Sequence, residues 1–318
     1  MARDQRIKTI VSLSMNPCID KSAAVERVIV ERKLYCKTPV YEPGGGGINV
    51  SRAIKKLGGE STLLYPSGGM SGRLLNDLLE EERIGHKPIH IKGTIRENVI
   101  IFEETTSLQY RFGMPGPVLT ENEWQGCLDE LSDSDPKPDY IVASGSLPSG
   151  VPVDFYARVA KIGNKMGAKV IVDAPSENLK SALQEGVYLI KPNIREFREL
   201  FDEEIMEESH IREKAGMIVE NGQCQVVVIS LGAGGVIVAA KDAVKHIIPP
   251  AVPVISKVGA GDSMVAGIVL SLARGMPIFE AVRFGVAAGT AAVMTPGTEL
   301  CRKEDTQRLY NEMFSDSA

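Results

Sequence analysis

The chain has 318 residues, which is enough for one large α/β domain with an appendage or for two domains. With 43% hydrophobic and 24% charged residues, it falls in the ordinary range of soluble globular proteins. Its formal net charge of −5 argues against nucleic acid as a principal partner, because phosphate backbones select basic surfaces. An anionic small-molecule substrate is not excluded, since a few local Lys and Arg residues can bind one inside an acidic protein.

The cysteines and the N-terminal segment bear on the cellular compartment. The cysteines are scattered, with no CxxC pair or His/Cys cluster, so we expect reduced, mostly buried thiols and neither zinc nor redox chemistry. No apolar signal-peptide core opens the chain, and no apolar run approaches the roughly 18 residues of a membrane span. These features predict a cytoplasmic protein without a membrane partner. The cysteines are Cys18, Cys36, Cys127, Cys224 and Cys301.

Short β-rich runs alternate with segments of helical periodicity along most of the chain. This alternation predicts βαβ units and a mostly parallel sheet with helices on both faces. The apolar centres of several runs fit strands that are buried on both sides. The predicted strands are residues 9–13, 62–65, 140–143, 169–172, 187–190 and 226–229. The predicted helices are residues 48–57, 74–82, 154–166 and 211–220, followed in the C-terminal third by 260–271, 277–294 and 303–313.

Two segments, residues 23–41 and 87–113, break this alternation. Both have the pattern of short consecutive strands without a helix between them, and the second contains a predicted hairpin with its turn near residues 105–107. We expect these insertions to form a small antiparallel sheet that projects from a single domain spanning residues 1–318. Such a sheet has one face to cover, either by closing over a ligand or by pairing with the same sheet of a second subunit.

The strongest local signal is Gly259-Ala260-Gly261-Asp262 at the start of an apolar helical run. Its glycines permit a sharp turn, and the amides at the helix start favour an anion such as a phosphoryl group in transit. An acidic residue in such a nest can act as the base that takes a proton from an attacking hydroxyl. The structural alternative is a helix cap formed by Asp262, which a bare GxGD pattern would favour.

A run of four glycines, residues 44–47, precedes Asn49 and a predicted helix. Four glycines carry an entropic cost that a purely structural turn rarely requires, and they allow a ligand to lie against the bare backbone. Gly45, Gly46 and Asn49 are therefore candidate sugar-binding residues, with a flexible loop as the alternative.

Lys191-Pro192-Asn193 follows a predicted strand, and Asn193 shares a helix face with Glu196. The oxygens of Asn193 and Glu196 could hold Mg²⁺ through waters against ATP phosphates, or the two residues could form an ordinary capping box. Neither a GxxxxGK[ST] loop nor a dinucleotide fingerprint occurs, so ATP would have to be bound in another way.

Three single residues are further candidates for substrate contacts. Asp20 follows the first strand, at the edge where open α/β sheets bind ligands, and it could accept hydrogen bonds from hydroxyls or cap a turn. Lys33 and Arg96 lie in the predicted small sheet and are candidate phosphate clamps or solvated surface charges. The four histidines match no metal-binding or catalytic spacing.

Together these motifs resemble the ribokinase-like (PfkB) family of carbohydrate kinases. The two family signatures correspond to residues 44–49 and 258–263, and the resemblance extends over essentially the whole chain. The longer strings EPGGGGINVSRAIKKLGG, QYRFGMPG, SGSLPSGV and VGAGDSMVAG look most like the minor, class II 6-phosphofructokinases. The resemblance implies a Rossmann-like ribokinase fold whose small β-sheet lid often forms the contact of a homodimer.

The resemblance also implies roles for individual residues. Asp262 would be the catalytic base, and Gly259, Ala260 and Gly261 would form the anion hole. The sugar would contact Asp20, Gly45, Gly46 and Asn49, and its phosphorylated end would approach Lys33 and Arg96, with a dimer interface as one route. The residues implied for ATP and its Mg²⁺ are Lys191, Asn193, Glu196, Ser230, Gly232 and Gly235. The residues implied for a monovalent cation such as K⁺ are Ser256, Val258, Ala292 and Gly297.

The sequence departs from the family pattern in two places. Thr295, Pro296 and Glu299 stand where close relatives would have Asn, Gln and Arg, which bears on the cation loop. Tyr35 stands at a lid position where a basic residue is expected, which bears on phosphate affinity or on the identity of the phosphosugar.

The implied reaction is transfer of a phosphoryl group from MgATP to the 1-hydroxyl of fructose 6-phosphate in glycolysis. The nearest alternatives are the same chemistry on fructose 1-phosphate, tagatose 6-phosphate or a nucleoside, because a few contacts can decide among acceptors. An alternative of another class is a non-catalytic sugar-phosphate or nucleotide sensor. The intact GAGD string argues against the sensor, since a pure binder need not keep a carboxylate beside a phosphate.

Overall fold

The computed structural model describes residues 8–201 and 207–315, and within them two sheets are built from strands that largely match the predicted ones. The strands are β1 (Ile10–Leu13), β2 (Cys18–Val25), β3 (Val40–Gly44), β4 (Thr62–Ser67), β5 (Gly85–His90), β6 (Arg96–Glu103), β7 (Leu108–Phe112), β8 (Tyr140–Ser144), β9 (Lys169–Asp173), β10 (Val187–Ile190), β11 (Cys224–Ser230), β12 (Val236–Ala240) and β13 (Ala243–Ile247). The helices are α1 (Gly46–Lys56), α2 (Gly69–Glu81), α3 (Glu121–Ser132), α4 (Phe155–Met166), α5 (Ser176–Glu185), α6 (Ile194–Glu199), α7 (Glu208–Glu220), α8 (Ala260–Ala273), α9 (Ile278–Val293) and α10 (Lys303–Ser315).

The large sheet runs in the order β13-β12-β11-β10-β9-β8-β1-β4-β5. Every pairing from β11 to β5 is parallel, and β12 and β13 join the end of the sheet as antiparallel strands. Parallel pairing requires crossover connections, and the intervening helices supply them. The prediction of a mostly parallel sheet flanked by helices is therefore confirmed.

The hydrophobic core lies on both faces of the large sheet. Along β8, Tyr140 and Val142 pack into one buried cluster, while Ile141 and Ala143 pack into the other. This alternation follows from the two-residue period of a strand. Strands with both faces covered must be apolar throughout, which explains the uninterrupted apolar runs of the sequence.

The small sheet has the order β3-β2-β6-β7. Its outer pairs are antiparallel, and its central pair, β2 with β6, is parallel. The parallel pair arises because β2 follows β1 and β6 follows β5, and β1 and β5 run in the same direction through the large sheet. The sheet therefore presents side chains from two distant parts of the chain on one face.

The predicted bounds of the two insertions differ from the observed strands. The first insertion starts earlier than residue 23 and ends later than residue 41, because its strands β2 and β3 begin at Cys18 and end at Gly44. Between β2 and β3, residues 26–39 form no strand. The second insertion starts later than residue 87, because β5 pairs with β4 in the large sheet. The predicted hairpin is confirmed as β6 and β7.

The remaining predictions about chain organisation concern the cysteines and the membrane. All five cysteines lie in the described ranges as free thiols, four of them buried and Cys36 exposed, as expected for a set of mostly buried thiols. In residues 8–201 and 207–315, no helix has both the length and the apolar character needed to span a membrane.

Candidate active site

A cavity of about 490 Å³ lies between the small sheet and the carboxyl edge of the large sheet. The carboxyl ends of parallel strands meet at one edge, and this is where open α/β sheets bind ligands. Most residues predicted for the sugar and the catalytic step line the cavity together. They are Asp20, Gly45, Gly46, Asn49, Arg96, Gly259 and Asp262.

The Gly-rich run starts α1 directly against strand ends of the large sheet. Gly45 has a φ of 117°, which an L-residue rarely adopts. A Cβ on Gly46 would lie 2.5 Å from the Ser144 hydroxyl and 2.8 Å from the Gly145 amide nitrogen. The run is therefore an ordered turn with no room for side chains rather than a flexible loop.

The GAGD segment forms the start of α8. Gly259 is the N-cap residue with a φ of 71°, and its carbonyl accepts the first helical hydrogen bond from the Ser263 amide at 2.8 Å. The amides of Ala260, Gly261 and Asp262 therefore have no partner within the helix and are available to an anion. Within the described residues the Asp262 carboxylate accepts a hydrogen bond from Asn49 and from no helical amide, so the structure does not show the helix-cap alternative.

The Asp262 carboxylate accepts a hydrogen bond from Asn49 Nδ2 at 2.9 Å. Burial, together with the nearby charge of Asp173, raises the pKa of Asp262 to about 7. The hydrogen bond from Asn49 and the charge of Lys191 oppose this rise. A carboxylate with a pKa near neutrality can both hold and release a proton at physiological pH, which suits a general base.

Asn49 also carries an orphaned acceptor. The residue is 6% exposed, and its Oδ1 atom has no hydrogen-bond partner within the described residues. A buried acceptor without a partner is unfavourable, so the atom is expected to accept a bond from a ligand. A sugar hydroxyl in the cavity would satisfy it.

Lys191 lies near Asp262 and forms a buried ion pair with Asp173, which the sequence analysis did not identify. Its ammonium is 3.1 Å from Asp173 Oδ1, and the two side chains are 5% and 14% exposed. Burial alone would lower the pKa of Lys191, but the carboxylates of Asp173, Glu196 and Asp262 raise it above its ordinary value. Asp173 ends β9, and its position at the carboxyl edge of the sheet was the signal that could have revealed it.

Asn193 and Glu196 form the capping box that was the alternative to a metal site. Asn193 Oδ1 accepts a bond from the Glu196 amide, and Glu196 Oε2 accepts one from the Asn193 amide, both at 2.9 Å. Burial raises the pKa of Glu196, with a further contribution from Asp173. The pair is therefore fixed at the start of α6 beside Lys191, and Glu196 Oε1 is not part of the box.

The turn after β11 lies next to this segment. The Ser230 amide donates to the Pro192 carbonyl at 3.0 Å, and Ser230 pairs with Asn193 in an isolated parallel bridge. Gly232 and Gly235 have φ values of 64° and 85°, which only glycine adopts readily. The residues predicted for ATP on these two segments are thus neighbours in space.

The structure places Asp20 in a different element from the one predicted. The residue does not follow β1 at its carboxyl edge; it lies in β2 of the small sheet and is 6% exposed. Its Oδ1 atom accepts a hydrogen bond from Asn98 Nδ2 at 2.8 Å. It still lines the cavity, beside Gly44 at the start of the Gly-rich run.

The cations at this end come from the small sheet. Arg96 Nη2 donates to the Asn16 carbonyl at 3.0 Å, and Arg111 faces the same cavity from the neighbouring β7. Within the described residues neither arginine pairs with a carboxylate, so both are available to an anion. Arg111, and Lys257 near the anion hole, are cavity residues that the sequence analysis missed.

Lys33 does not reach the cavity of its own protomer. It lies in the exposed segment between β2 and β3, and its ammonium is 5.1 Å from the ring centroid of Tyr35. Tyr35 is 78% exposed. The expected contact of Lys33 with the phosphorylated end is therefore absent within one chain.

The four positions implied for a monovalent cation lie in one cluster. Ser256 Oγ donates to the Gly297 carbonyl at 3.0 Å and accepts a bond from the Val258 amide at 3.2 Å. The Thr295 hydroxyl, one of the departures from the family pattern, donates to the Ala292 carbonyl at 2.8 Å. Two of the four candidate ligand oxygens, the carbonyls of Gly297 and Ala292, thus accept hydrogen bonds from hydroxyls. The Ala292 carbonyl also accepts a bond from the Thr295 amide at 3.2 Å.

Comparison with known proteins decides the family. The model of the pfkB family carbohydrate kinases matches residues 10–305. The chain belongs to this family. This confirms the family, the ribokinase-like fold and the class of enzyme predicted from the motifs.

Three relatives illustrate where this kinase stands within the family. It is 40% identical over 309 residues to the ATP-dependent 6-phosphofructokinase isozyme 2 of Mycobacterium tuberculosis, covering 97% of this chain and 91% of that one. It is 30% identical over 304 residues to the 1-phosphofructokinase of Bacillus subtilis, covering 96% and 98%.

The third relative is known from solved structures. The phosphofructokinase-2 of Escherichia coli in complex with potassium matches this kinase with a TM-score of 0.93 and 38% identity, covering 96% of this chain and 99% of that one. A tetrameric inhibited form of the same enzyme matches with a TM-score of 0.91.

Proposed function

We propose that this kinase phosphorylates fructose 6-phosphate at its 1-hydroxyl with ATP, giving fructose 1,6-bisphosphate in glycolysis. The observation that carries the proposal is one cavity with two chemically different ends. One end holds Asp262 beside the free amides of α8, and the other holds Arg96 and Arg111, which pair with no carboxylate among residues 8–201 and 207–315. This arrangement matches an acceptor with a reactive hydroxyl at one end and a phosphate at the other. The names of two relatives at 40% and 39% identity, both ATP-dependent 6-phosphofructokinase isozyme 2, support the same substrate.

The acceptor would be held by polar groups between the two ends. Asp20 and the orphaned Oδ1 atom of Asn49 accept hydrogen bonds from sugar hydroxyls, and Gly45 and Gly46 let the sugar lie against the backbone. Arg96 and Arg111 bind the phosphate through charge-assisted hydrogen bonds. The reactive hydroxyl then lies at Asp262.

The chemical step is an in-line displacement at the γ-phosphorus of ATP. The acceptor oxygen forms the new O–P bond, Asp262 takes its proton, and the bond from phosphorus to the β–γ bridging oxygen breaks to release ADP. The amides at the start of α8 face the charge that gathers on the equatorial oxygens. Asn49 orients the carboxylate of the base through its 2.9 Å hydrogen bond.

The nucleotide would lie along the neighbouring carboxyl edge, with the turn from Ser230 to Gly235 lining its site and Lys191 beside its phosphates. The donor chemistry here fits Mg²⁺ accompanying ATP, because Asn193 and Glu196 supply carboxamide and carboxylate oxygens, which Mg²⁺ takes together with several waters. Mg²⁺ would neutralise phosphate charge when bound. Asn193 and Glu196 would make their contacts with the ion through waters. Among residues 8–201 and 207–315, no three acidic, His or Cys side chains group as metal ligands.

The cluster around Ser256 fits a monovalent cation such as K⁺. Its oxygens are carbonyl and hydroxyl groups of Ser256, Val258, Ala292 and Gly297, the neutral donors expected for such an ion, and the cluster directly precedes the anion hole. A cation there would stabilise the loop that carries Gly259. The Thr295 hydroxyl would compete with it for the Ala292 carbonyl.

We further propose a homodimer formed through the small sheet. The face that carries Asp20 and Arg96 continues beyond the cavity as an apolar surface with Val40 and Phe102, which are 57% and 42% exposed. An exposed apolar patch of this kind marks an interaction site. Pairing with a second copy would cover it and would bring Lys33 to the partner's cavity. A cytoplasmic location, where ATP and sugar phosphates occur, belongs to the same proposal.

The test is ADP release from MgATP with fructose 6-phosphate, fructose 1-phosphate, tagatose 6-phosphate, fructose, ribose and adenosine. We expect kcat/KM for fructose 6-phosphate to exceed the others by at least about tenfold, a difference of roughly 1.4 kcal/mol. Preference for fructose 1-phosphate or tagatose 6-phosphate would change the proposed acceptor, and the conclusion that the protein is a sugar-phosphate kinase would stand. Absence of turnover with any acceptor, in the presence of Mg²⁺ and K⁺, would support a non-catalytic sensor instead.

A further inference from the structure

The small sheet places four polar side chains in a block on its cavity face. In the parallel pairing of β2 with β6, Cys18 is opposite Arg96 and Asp20 is opposite Asn98. Alternate residues of a strand share a face, so all four side chains point to the same side. All four also line the cavity. Asn98 is the member of this block to which the proposed reaction gives no role.

Both ends of the Asn98 carboxamide are engaged. Its Nδ2 atom donates to Asp20 Oδ1 at 2.8 Å and to Cys18 Sγ at 3.2 Å. Its Oδ1 atom accepts a bond from the Met114 amide at 3.2 Å and lies 3.5 Å from Arg96 Nη1. The side chain therefore links the carboxylate at the sugar hydroxyls to the arginine at the sugar phosphate, and it is itself anchored to the backbone after β7.

This bonding fixes which oxygen of Asp20 is free. Oδ1 is occupied by Asn98, whereas Oδ2 lies over Gly44, where a Cβ would be only 2.5 Å away. The absence of a side chain at Gly44 leaves the space that Oδ2 occupies, and the carboxylate cannot turn away from Asn98 without losing the bond at Oδ1. Oδ2 is left as the acceptor for a ligand hydroxyl.

We propose that Asn98 is a positioning residue for the acceptor sugar, acting through Asp20 and aligning it with Arg96. The inference rests on the proposed phosphosugar kinase activity. A carboxamide is the side chain that can donate to a carboxylate and accept from an amide and a guanidinium at the same time. An Asp in its place would put two carboxylates in contact, and an Ala would leave Asp20 free to turn.

The test is a double-mutant cycle on the intact enzyme with the variants Asn98→Ala, Asp20→Ala and the double variant, using whichever acceptor the wild type phosphorylates best. A cycle measures coupling directly, because residues that act through one another give non-additive losses. We expect Asn98→Ala to lower kcat/KM for the acceptor about 30-fold, mainly through KM, with KM for MgATP unchanged. In the Asp20→Ala background the same substitution should lower kcat/KM for the acceptor by less than about threefold.

Two results would overturn the proposal: equal losses in both backgrounds, or a loss that appears equally in the KM for MgATP. Asn98→Asp provides a second variant of the same size should Asn98→Ala be poorly folded. It keeps the acceptor for the Met114 amide but loses the donor to Asp20, so it should be at least as impaired in KM for the acceptor. Wild-type KM in Asn98→Asp would also contradict the proposal. Because the cycle uses the acceptor found by experiment, a different sugar specificity would not affect its outcome.

Discussion

Asp262 and its neighbours determine the pH dependence expected of this enzyme. A base works only when it is deprotonated, so with a pKa of about 7 the value of kcat/KM should rise through neutrality and level off above it. Substrate phosphates titrate in the same range, and a comparison between variants with the same substrates removes that contribution.

Asp173→Asn should shift this rise to lower pH. The substitution removes a negative charge that helps to raise the pKa of Asp262, and it also frees the Lys191 charge, which lowers that pKa. Initial rates from about pH 5.5 to 9 for the wild type and the variant would locate the two midpoints. A midpoint that is unchanged or moves to higher pH would show that Asp262 is not the titrating base.

Arg96 and Arg111 should act on acceptor affinity. Each charge-assisted hydrogen bond to a phosphate contributes about 1.5–3 kcal/mol, so Arg96→Ala or Arg111→Ala should raise KM for fructose 6-phosphate about 10- to 100-fold. Arg308→Ala is a matched control, because Arg308 pairs with Asp305 and Glu312 on the surface of α10. An unchanged KM in Arg111→Ala would remove that residue from the site.

Sequence reasoning found the residues that belong to local motifs and missed those that reach the site only through long-range pairing. Asp262, Asn49 and the glycines were predictable, because each stands in a compact motif whose geometry is set by its neighbours in the chain. Arg111 and Asp173 reach the site only through strand pairing and strand ends. The residues next to a single charged residue in a strand do not indicate that it will face the active site.

At the scale of elements, the start of α1 shows how closely the Gly-rich run is packed. Gly46→Ala should lower kcat/KM by at least about 100-fold, because its Cβ would meet the Gly145 amide nitrogen at 2.8 Å and displace the run from the cavity. Gly216→Ala on α7 is the matched control. A Cβ there has nothing within 4 Å, and Ala is favoured over Gly in a helix.

Steady-state kinetics and thermal unfolding of both glycine variants would check this prediction. Gly216→Ala should keep its activity, and its Tm should not fall, because Ala is the better helix former. Full activity in Gly46→Ala would mean that the run tolerates displacement and does not shape the sugar site.

The elements themselves were predictable to different degrees. The buried strands β8 to β11 and the helices α8 and α9 were predicted because their periodicity is strong and their partners are close in the chain. The helix α2 begins five residues before its predicted start at residue 74, since its first turn is rich in glycine and lacks an apolar period. The bounds of the small sheet depend on the long-range pairing of β2 with β6, which no local pattern encodes.

At the scale of the whole molecule, the proposed dimer depends on one face of the small sheet. Phe102→Glu places a charge on the exposed apolar end of the cavity face and should shift the protein toward monomer. Leu108→Glu is the control, because Leu108 is 55% exposed but pairs with Glu103 on the opposite face. Sedimentation equilibrium of the two variants gives the measurement. Dissociation by both variants or by neither would exclude this face as the specific contact.

The central claim is that phosphoryl transfer to the sugar hydroxyl depends on Asp262 as its base, and Asp262→Ala tests it most directly. The measurement is the steady-state rate of the variant over a range of MgATP and fructose 6-phosphate concentrations, with Asp129→Ala on the exposed surface of α3 as the control. We expect kcat to fall at least about 10³-fold with little change in KM, because the lost interaction belongs to the transition state. A variant that turned over at a near-normal rate would contradict the account.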